Sequence, residues 1–170
     1  MAEADLSLTE WVVLALVSES PTHGFAIAKE LQADSDLGRI LTVHRPLVYR
    51  ASTRLRDAGL IESTATEPGD AGPNRTVLRA TRRGRSQLKR WLATPVEHVR
   101  ELRIEFLIKL RLTERLERDP AILVEAQRDA LAATLKSLAA GKDHAADADV
   151  VDRWRQHNAA AAQAFLTSLT

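Results

Sequence analysis

The stretch from Val43 to Ile61 most constrains what this chain can fold into. Pro46 suits a first helical turn, because its fixed φ is helical and its missing N–H has no partner there. Gly59 suits the position just past a last turn, where φ > 0 is often needed. Between them Val48, Ala51, Ser52, Leu55 and Ala58 recur at spacings of three and four and so share one face. Arg45, Tyr49, Arg50, Thr53, Arg54 and Arg56 occupy the opposite face and its flanks. A helix of this kind is anchored to a domain by one side and offers the other to an anion. Taken alone it reads equally as a solvated basic face; its neighbours decide.

Upstream, Ser7-Leu8-Thr9-Glu10 has the pattern of a capping box and predicts a helix over about residues 8–19. Leu8, Trp11, Val12, Leu14, Ala15 and Leu16 make it apolar nearly all round, which places it in a core. Ser20-Pro21-Thr22 stops it, and Thr22 is expected to cap a second helix opening at His23-Gly24-Phe25, with Ile27, Ala28 and Leu31 inward. His23 has no second His or carboxylate at metal spacing, so a turn or capping role is expected of it. Asp34 to Leu41 reads as a loop or a short continuation of the second helix, punctuated by Gly38. Two helices followed by an exposed basic helix, within about 55 residues, is the order of a helix-turn-helix.

Downstream, Leu60–Thr66 and Arg75–Thr81 read as strands around the turn-forming run Glu67–Asn74, a β-hairpin. Helix-turn-helix plus hairpin is a winged helix, with Arg75 near the wing tip. Thr81 is expected to cap a further helix, with Leu88, Trp91 and Leu92 on one side and Pro95 at its end. Lys89 and Arg90 are read as solvated; Arg82 and Arg83 stay open between phosphate contact and solvation. The remaining residues predict helices over about 101–118, 121–140 and 146–169. Pro120 restarts the second of these, and Ile122, Ala126, Leu131, Leu135 and Leu138 point inward, with Gly141 closing it. The last carries Val150, Val151, Trp154, Ala161, Phe165 and Leu169 among many Ala, a texture suited to helix pairing. The expected fold is mainly α with a small β-hairpin wing: a winged helix-turn-helix DNA-binding domain over residues 1–95 and a helical dimerisation, effector-sensing domain over residues 96–170.

Charge bears on the partner. The net charge of +1 hides an uneven distribution. Residues 1–38 carry −6 and residues 39–90 carry +8, while residues 100–170 balance eleven basic against eleven acidic side chains. A polyanion partner for the middle segment follows. Chemistry is disfavoured. There is no Cys, the five His (23, 44, 98, 144, 157) are scattered, and no metal pattern, Gly-rich phosphate loop or nucleophile with its base is present. Neither an enzyme nor a cofactor is expected. The longest apolar run, Trp11–Val17, is too short to span a bilayer, and Glu3 and Asp5 stand where a secretory signal would be basic, so no membrane partner and a cytoplasmic location are predicted.

Arg presents a planar donor fork that matches guanine O6 and N7. Residues near the start of a recognition helix reach deepest into the groove. Arg45, Tyr49 and Arg50 are therefore expected at base edges or adjacent phosphates, Thr53 and Arg54 next, His44 at a phosphate, and Arg75 at backbone or minor groove. Leu47 is expected to pack locally. One such domain covers few base pairs, so a homodimer on double-stranded DNA with an inverted-repeat operator is expected.

In these features the chain resembles the PadR family of bacterial transcriptional regulators. The matching pieces are Leu6-Ser7-Leu8-Thr9-Glu10, His23-Gly24-Phe25 in place of His-Gly-Tyr, Val48-Tyr49, and Leu55 with Ala58-Gly59-Leu60-Ile61. Thr81 with Gly84, Trp91-Leu92, and Glu105-Phe106-Leu107 with Lys109-Leu110 follow in the same order, over residues 6–112. The helical remainder is similar to the longer subgroup of the family. Arg50 stands where that family often has Pro, Ser52 where a core Leu is common, and Leu47 where a polar residue is frequent. The resemblance implies a winged-helix homodimer that represses transcription and is released by a small apolar or aromatic effector. Trp11, Trp91 and Trp154 are read as core and interface packing before any effector cavity. The alternatives are a MarR-like regulator and a winged-helix protein-interaction module without DNA binding; four Arg on one helix speak against the second.

Overall fold

The computed structural model describes residues 5–67, 75–140 and 149–169. The chain divides into two compact units, residues 1–92 with 115–117 and residues 93–114 with 118–170.

The first unit is built on α1 (Leu8–Glu19), whose residues from Glu10 to Val17 are all buried. Its start is the expected capping box. The Ser7 N–H donates to Glu10 Oε2 at 2.8 Å, and the Glu10 N–H donates to Ser7 Oγ. Around α1 lie α2 (Gly24–Glu30) and α3 (Arg45–Asp57), and Leu31, Leu37 and Val43 bury the turns between them. Gly59 follows α3 with φ +67°, and the Leu60 N–H returns to the Leu55 carbonyl at 2.9 Å. That left-handed residue is the one the sequence anticipates.

The sheet is larger than the expected hairpin. β2 (Ile61–Glu67) and β3 (Arg75–Ala80) pair antiparallel with a bulge between Ser63 and Ala65. A two-residue strand, β1 (Thr22–His23), adds to the other edge of β3, giving the order β1-β3-β2. Thr22 is thus a strand residue and does not cap α2. His23 does so: its Nδ1 accepts the Ala26 N–H at 3.2 Å. The extended dipeptide after Pro21 gains its ladder partners only from β3, which no local pattern reveals. Residues 68–74, the expected wing tip, lie outside the described residues.

Thr81 joins the sheet to α4 (Arg82–Ala93). Its Oγ1 accepts the Gly84 N–H at 3.1 Å and donates toward the carbonyls of Gly59 and Leu60. A Cβ on Gly84 would fall 2.1 Å from the Leu60 oxygen, so only glycine admits this approach. Trp11 and Trp91 stack with centroids 5.1 Å apart and rings 6° from parallel. Arg115 also belongs to this unit; it bonds Glu19 at 2.8 and 2.9 Å and Glu30 at 2.9 Å. Burial alone would lower its pKa, but those two carboxylates outweigh burial and hold it above its ordinary value.

The second unit packs a 3₁₀ turn (Val99–Arg103), α5 (Glu105–Arg115, its last residue in the first unit), α6 (Ala121–Ala140) and α7 (Val150–Ser168). A single helix over 101–118 was expected; Ile104, at φ −121° and ψ −66°, breaks it in two. The core joins Val96, Leu102, Phe106, Leu123, Val124, Leu131, Leu135, Ala159, Ala162 and Leu166. Phe106 meets Phe165 edge to face at 6.4 Å. The buried face of α6 holds the expected Leu131 and Leu135, with Leu138 partly buried against the same core, and differs from the expectation at its first turns. Leu123, Val124 and Gln127 are inside, while Ile122 is exposed. Gln127 sits inside because its amide clamps both backbone groups of Val96, at 2.8 and 2.9 Å. Asp149 caps α7, accepting the N–H groups of Val151 and Asp152. The expected closing role of Gly141 and the earlier start of the last helix at residue 146 lie outside the described residues. Among the described residues no helix is long and apolar enough to cross a membrane.

Candidate nucleic-acid interface

At ~100° per residue, α3 has a definite geometry. Val48, Ala51, Ser52 and Leu55 form the buried side, and Ser52 satisfies its hydroxyl on the Val48 carbonyl at 2.9 Å. Diametrically opposite stand Arg50 and Thr53, with Pro46 and Asp57 on the same line. One flank carries Arg45, Tyr49 and Arg56, whose spacing of four and seven stacks them on successive turns. The other carries Leu47 and Arg54.

The two flanks have different surroundings. The first borders a groove of about 510 Å³ whose other walls are His23, Gly24 and Phe25 before and at the start of α2, and Arg75, Thr76 and Leu78 of β3. Tyr49 lies directly over Gly24: a Cβ there would fall 2.7 Å from Tyr49 Cε1. Arg45 Cζ lies 4.7 Å from the centroid of the Phe25 ring. Arg45, Arg56 and Arg75 thus converge on one concavity, with Arg50 and Thr53 exposed on the neighbouring ridge. Among the described residues none of these four guanidiniums has an ion-pair partner.

The second flank is tied to the protein at Arg54. Arg54 Nη1 lies 3.0 Å from Glu10 Oε1, and the Glu10 side chain is only 3% exposed. Glu10 therefore serves twice, as the α1 capping carboxylate and as the anchor of α3. Leu47, expected to pack locally, is exposed. His44 precedes the helix with its side chain exposed and making no capping hydrogen bond.

The structure thus brings Arg45, Tyr49, Thr53 and Arg75 around one groove, leaves His44 and Arg50 beside it, and turns Arg54 toward α1. Arg56 was not among the expected contacts. Its signal is its distance of eleven residues from Arg45, three helical turns. Arg83 Nη1 donates to the Ala58 carbonyl at 3.1 Å, at the α3 C-terminus. Arg85 holds the Ala80 carbonyl likewise. Among the described residues no three metal-ligating side chains come together.

The model of the PadR-like transcriptional regulator family matches residues 13–90, which hold the second half of α1, all of α2, α3 and the sheet, and most of α4. Over residues 13–90 the chain is similar to PadR-like transcriptional regulators. A solved structure of Bacillus subtilis PadR in complex with operator DNA is similar over 98% of this chain and 97% of that one, at 16% identity and a TM-score of 0.52. PadR-like regulators from Bacillus cereus and Bacteroides fragilis are each 23% identical with a TM-score of 0.40. They cover 49% and 48% of this chain and 76% and 73% of their own. No protein of curated function matches the chain. Within the matched residues, the His23-Gly24-Phe25 segment has a clear local purpose: His23 caps α2, Gly24 seats Tyr49, and Phe25 lies under Arg45.

Proposed function

We propose that this chain is a cytoplasmic, homodimeric repressor that binds an inverted-repeat operator in double-stranded DNA through α3 and β3. The observation that carries the reading is the convergence of Arg45, Arg56 and Arg75 on one groove beside the exposed ridge of Arg50 and Thr53. A recognition helix needs such an outward ridge for base edges and flanking cations for phosphates. Arg50 and Thr53 read bases, Arg45 and Tyr49 work at the entry to the groove, and His44, Arg56 and Arg75 hold backbone. Arg54 keeps α3 in place. The operator-bound Bacillus subtilis PadR, of the same fold, supports this assignment of the partner. A protein-interaction module would not keep four guanidiniums unpaired on one surface.

Dimerisation is assigned to α6 and α7. Trp154 is 69% exposed, and Val150 and Val151 one turn before it are exposed as well, although all three are apolar. A second copy is the partner that an Ala-rich helix with such a face accommodates. The repressor is released by a small apolar or aromatic effector, as the family resemblance implies; thermal shift of the full chain against a panel of aromatic acids tests this part.

The central test selects duplexes from a randomised pool with the full-length chain. The expected product is a two-fold symmetric sequence. Arg50→Ala then weakens binding to it by about 1–3 kcal/mol per half-site, with binding to random duplex little changed. Equal loss on both would place Arg50 on backbone only, and failure to enrich any sequence would overturn sequence-specific binding.

A further inference from the structure

Phe25 lies at the first turn of α2, a position where a buried apolar side chain would normally pack downward. It does not: the ring is 48% exposed. What covers it is the Arg45 guanidinium, with Cζ 4.7 Å from the ring centroid. Both side chains line the same groove. The ring also lies 6.4 Å from the His23 imidazole, at 35°. His23 is itself immobilised by its capping bond to the Ala26 N–H.

An Arg at the first residue of a helix, exposed and without a carboxylate partner, ordinarily samples many rotamers. Stacking on an aromatic face removes most of that freedom while leaving the N–H edges of the fork pointing away from the ring plane's axis and free to donate. A guanidinium held this way arrives at DNA already oriented, which favours a planar, two-acceptor target over a diffuse charge. A phosphate is reached equally well by a mobile cation; a guanine edge is not.

We propose that Phe25 is a positioning residue that fixes the Arg45 fork for bidentate recognition of one guanine in each half-site, and so sets specificity without touching the base. The inference rests on the DNA-binding reading above. Phe25→Leu removes the aromatic face but keeps an apolar side chain. Phe25→Tyr keeps the face, and Arg45→Lys keeps the charge without the fork. Each is measured by fluorescence anisotropy against the duplex selected by the wild-type chain, its single-base-pair variants, a 7-deazaguanine replacement at each guanine, and a random duplex.

Phe25→Leu is expected to reduce discrimination at one base pair by about two- to fivefold per half-site, the range of an exposed cation–π contact, with other positions and random duplex unaffected. Arg45→Lys relaxes the same base pair further, Phe25→Tyr restores it, and 7-deazaguanine at that position reproduces the loss. A uniform loss on selected and random duplexes, or relaxation by Arg45→Lys at a base pair that Phe25→Leu leaves intact, overturns the positioning role while DNA binding stands. A wild-type chain that enriches no duplex overturns both. Circular dichroism melts of the three variants must coincide with wild type; a lower midpoint for Phe25→Leu that Phe25→Tyr does not restore assigns Phe25 to folding and overturns the proposal.

Discussion

Arg54→Ala separates anchoring from DNA reading, because Arg54 is the α3 arginine whose partner is inside the protein. Its guanidinium is 59% exposed but its carboxylate partner is 3% exposed, and the two are 3.0 Å apart. Cutting a fully buried pair costs about 3–5 kcal/mol, chiefly through the charge left behind. A fully exposed pair is worth about 0–1 kcal/mol. Here one partner is desolvated and the other half-wet, and Glu10 retains the Ser7 N–H at 2.8 Å after the change. An intermediate cost of about 1–2 kcal/mol follows. With an ordinary urea m-value of about 2 kcal/mol/M, the midpoint falls by about 0.5–1 M. Glu10→Gln in the Arg54→Ala background removes the stranded charge, so the double variant should recover part of the loss, a coupling of about 1 kcal/mol. Sequence preference, measured well below the unfolding midpoint, should not change. An Arg54→Ala variant of wild-type stability with relaxed operator preference would refute the anchoring argument and return Arg54 to the reading face.

Gly84→Ala places a Cβ against the Leu60 backbone oxygen, which cannot move without opening the sheet-to-α4 junction; a loss above the usual overpacking range of about 1–3 kcal/mol is expected in urea melts. Gly24→Ala meets the Tyr49 ring, which can swing into the groove, so stability should change less than operator affinity does in a mobility-shift assay. Trp154→Asp places a charge on the exposed apolar stretch of α7 and should shift light-scattering mass from dimer to monomer at micromolar protein; an unchanged dimer would exclude that surface from the interface.

Features fixed by a few adjacent residues were legible in the sequence. The Ser7–Glu10 capping box, the left-handed Gly59, and Thr81 as the cap of α4 each follow from spacing within one turn, and each is found. The inward and outward sides of α3 were legible too, from apolar residues three and four apart. The choice between its flanks was not. Arg45 and Arg54 look alike on a helical wheel until α1 is known to supply Glu10 on one side and α2 to supply Phe25 on the other. β1 was missed because two residues carry no period. On α6 the inward Leu131 and Leu135 were legible, but the inward Gln127 was not, because its partners on Val96 are 31 positions away.

The positions of the basic side chains bear on how salt should weaken binding. Four of the twelve basic side chains in residues 39–90 are engaged within the protein. Arg54 holds Glu10, Arg79 holds Glu62 at 2.6 Å, and Arg83 and Arg85 hold backbone carbonyls. Arg45, Arg50, Arg56 and Arg75 remain facing the groove or its ridge. If Arg45 and Arg50 read bases, each protomer places two guanidiniums on phosphates. A dimer then neutralises about four, and log K should fall with log salt at a slope of about −3.6. If all four touch phosphates the slope steepens to about −7. Titration of the selected duplex with potassium chloride distinguishes the two. A slope well beyond −7 would show that Arg82 and Lys89, exposed on α4, also reach the backbone, and the occupied arginines could not then account for the remaining charge.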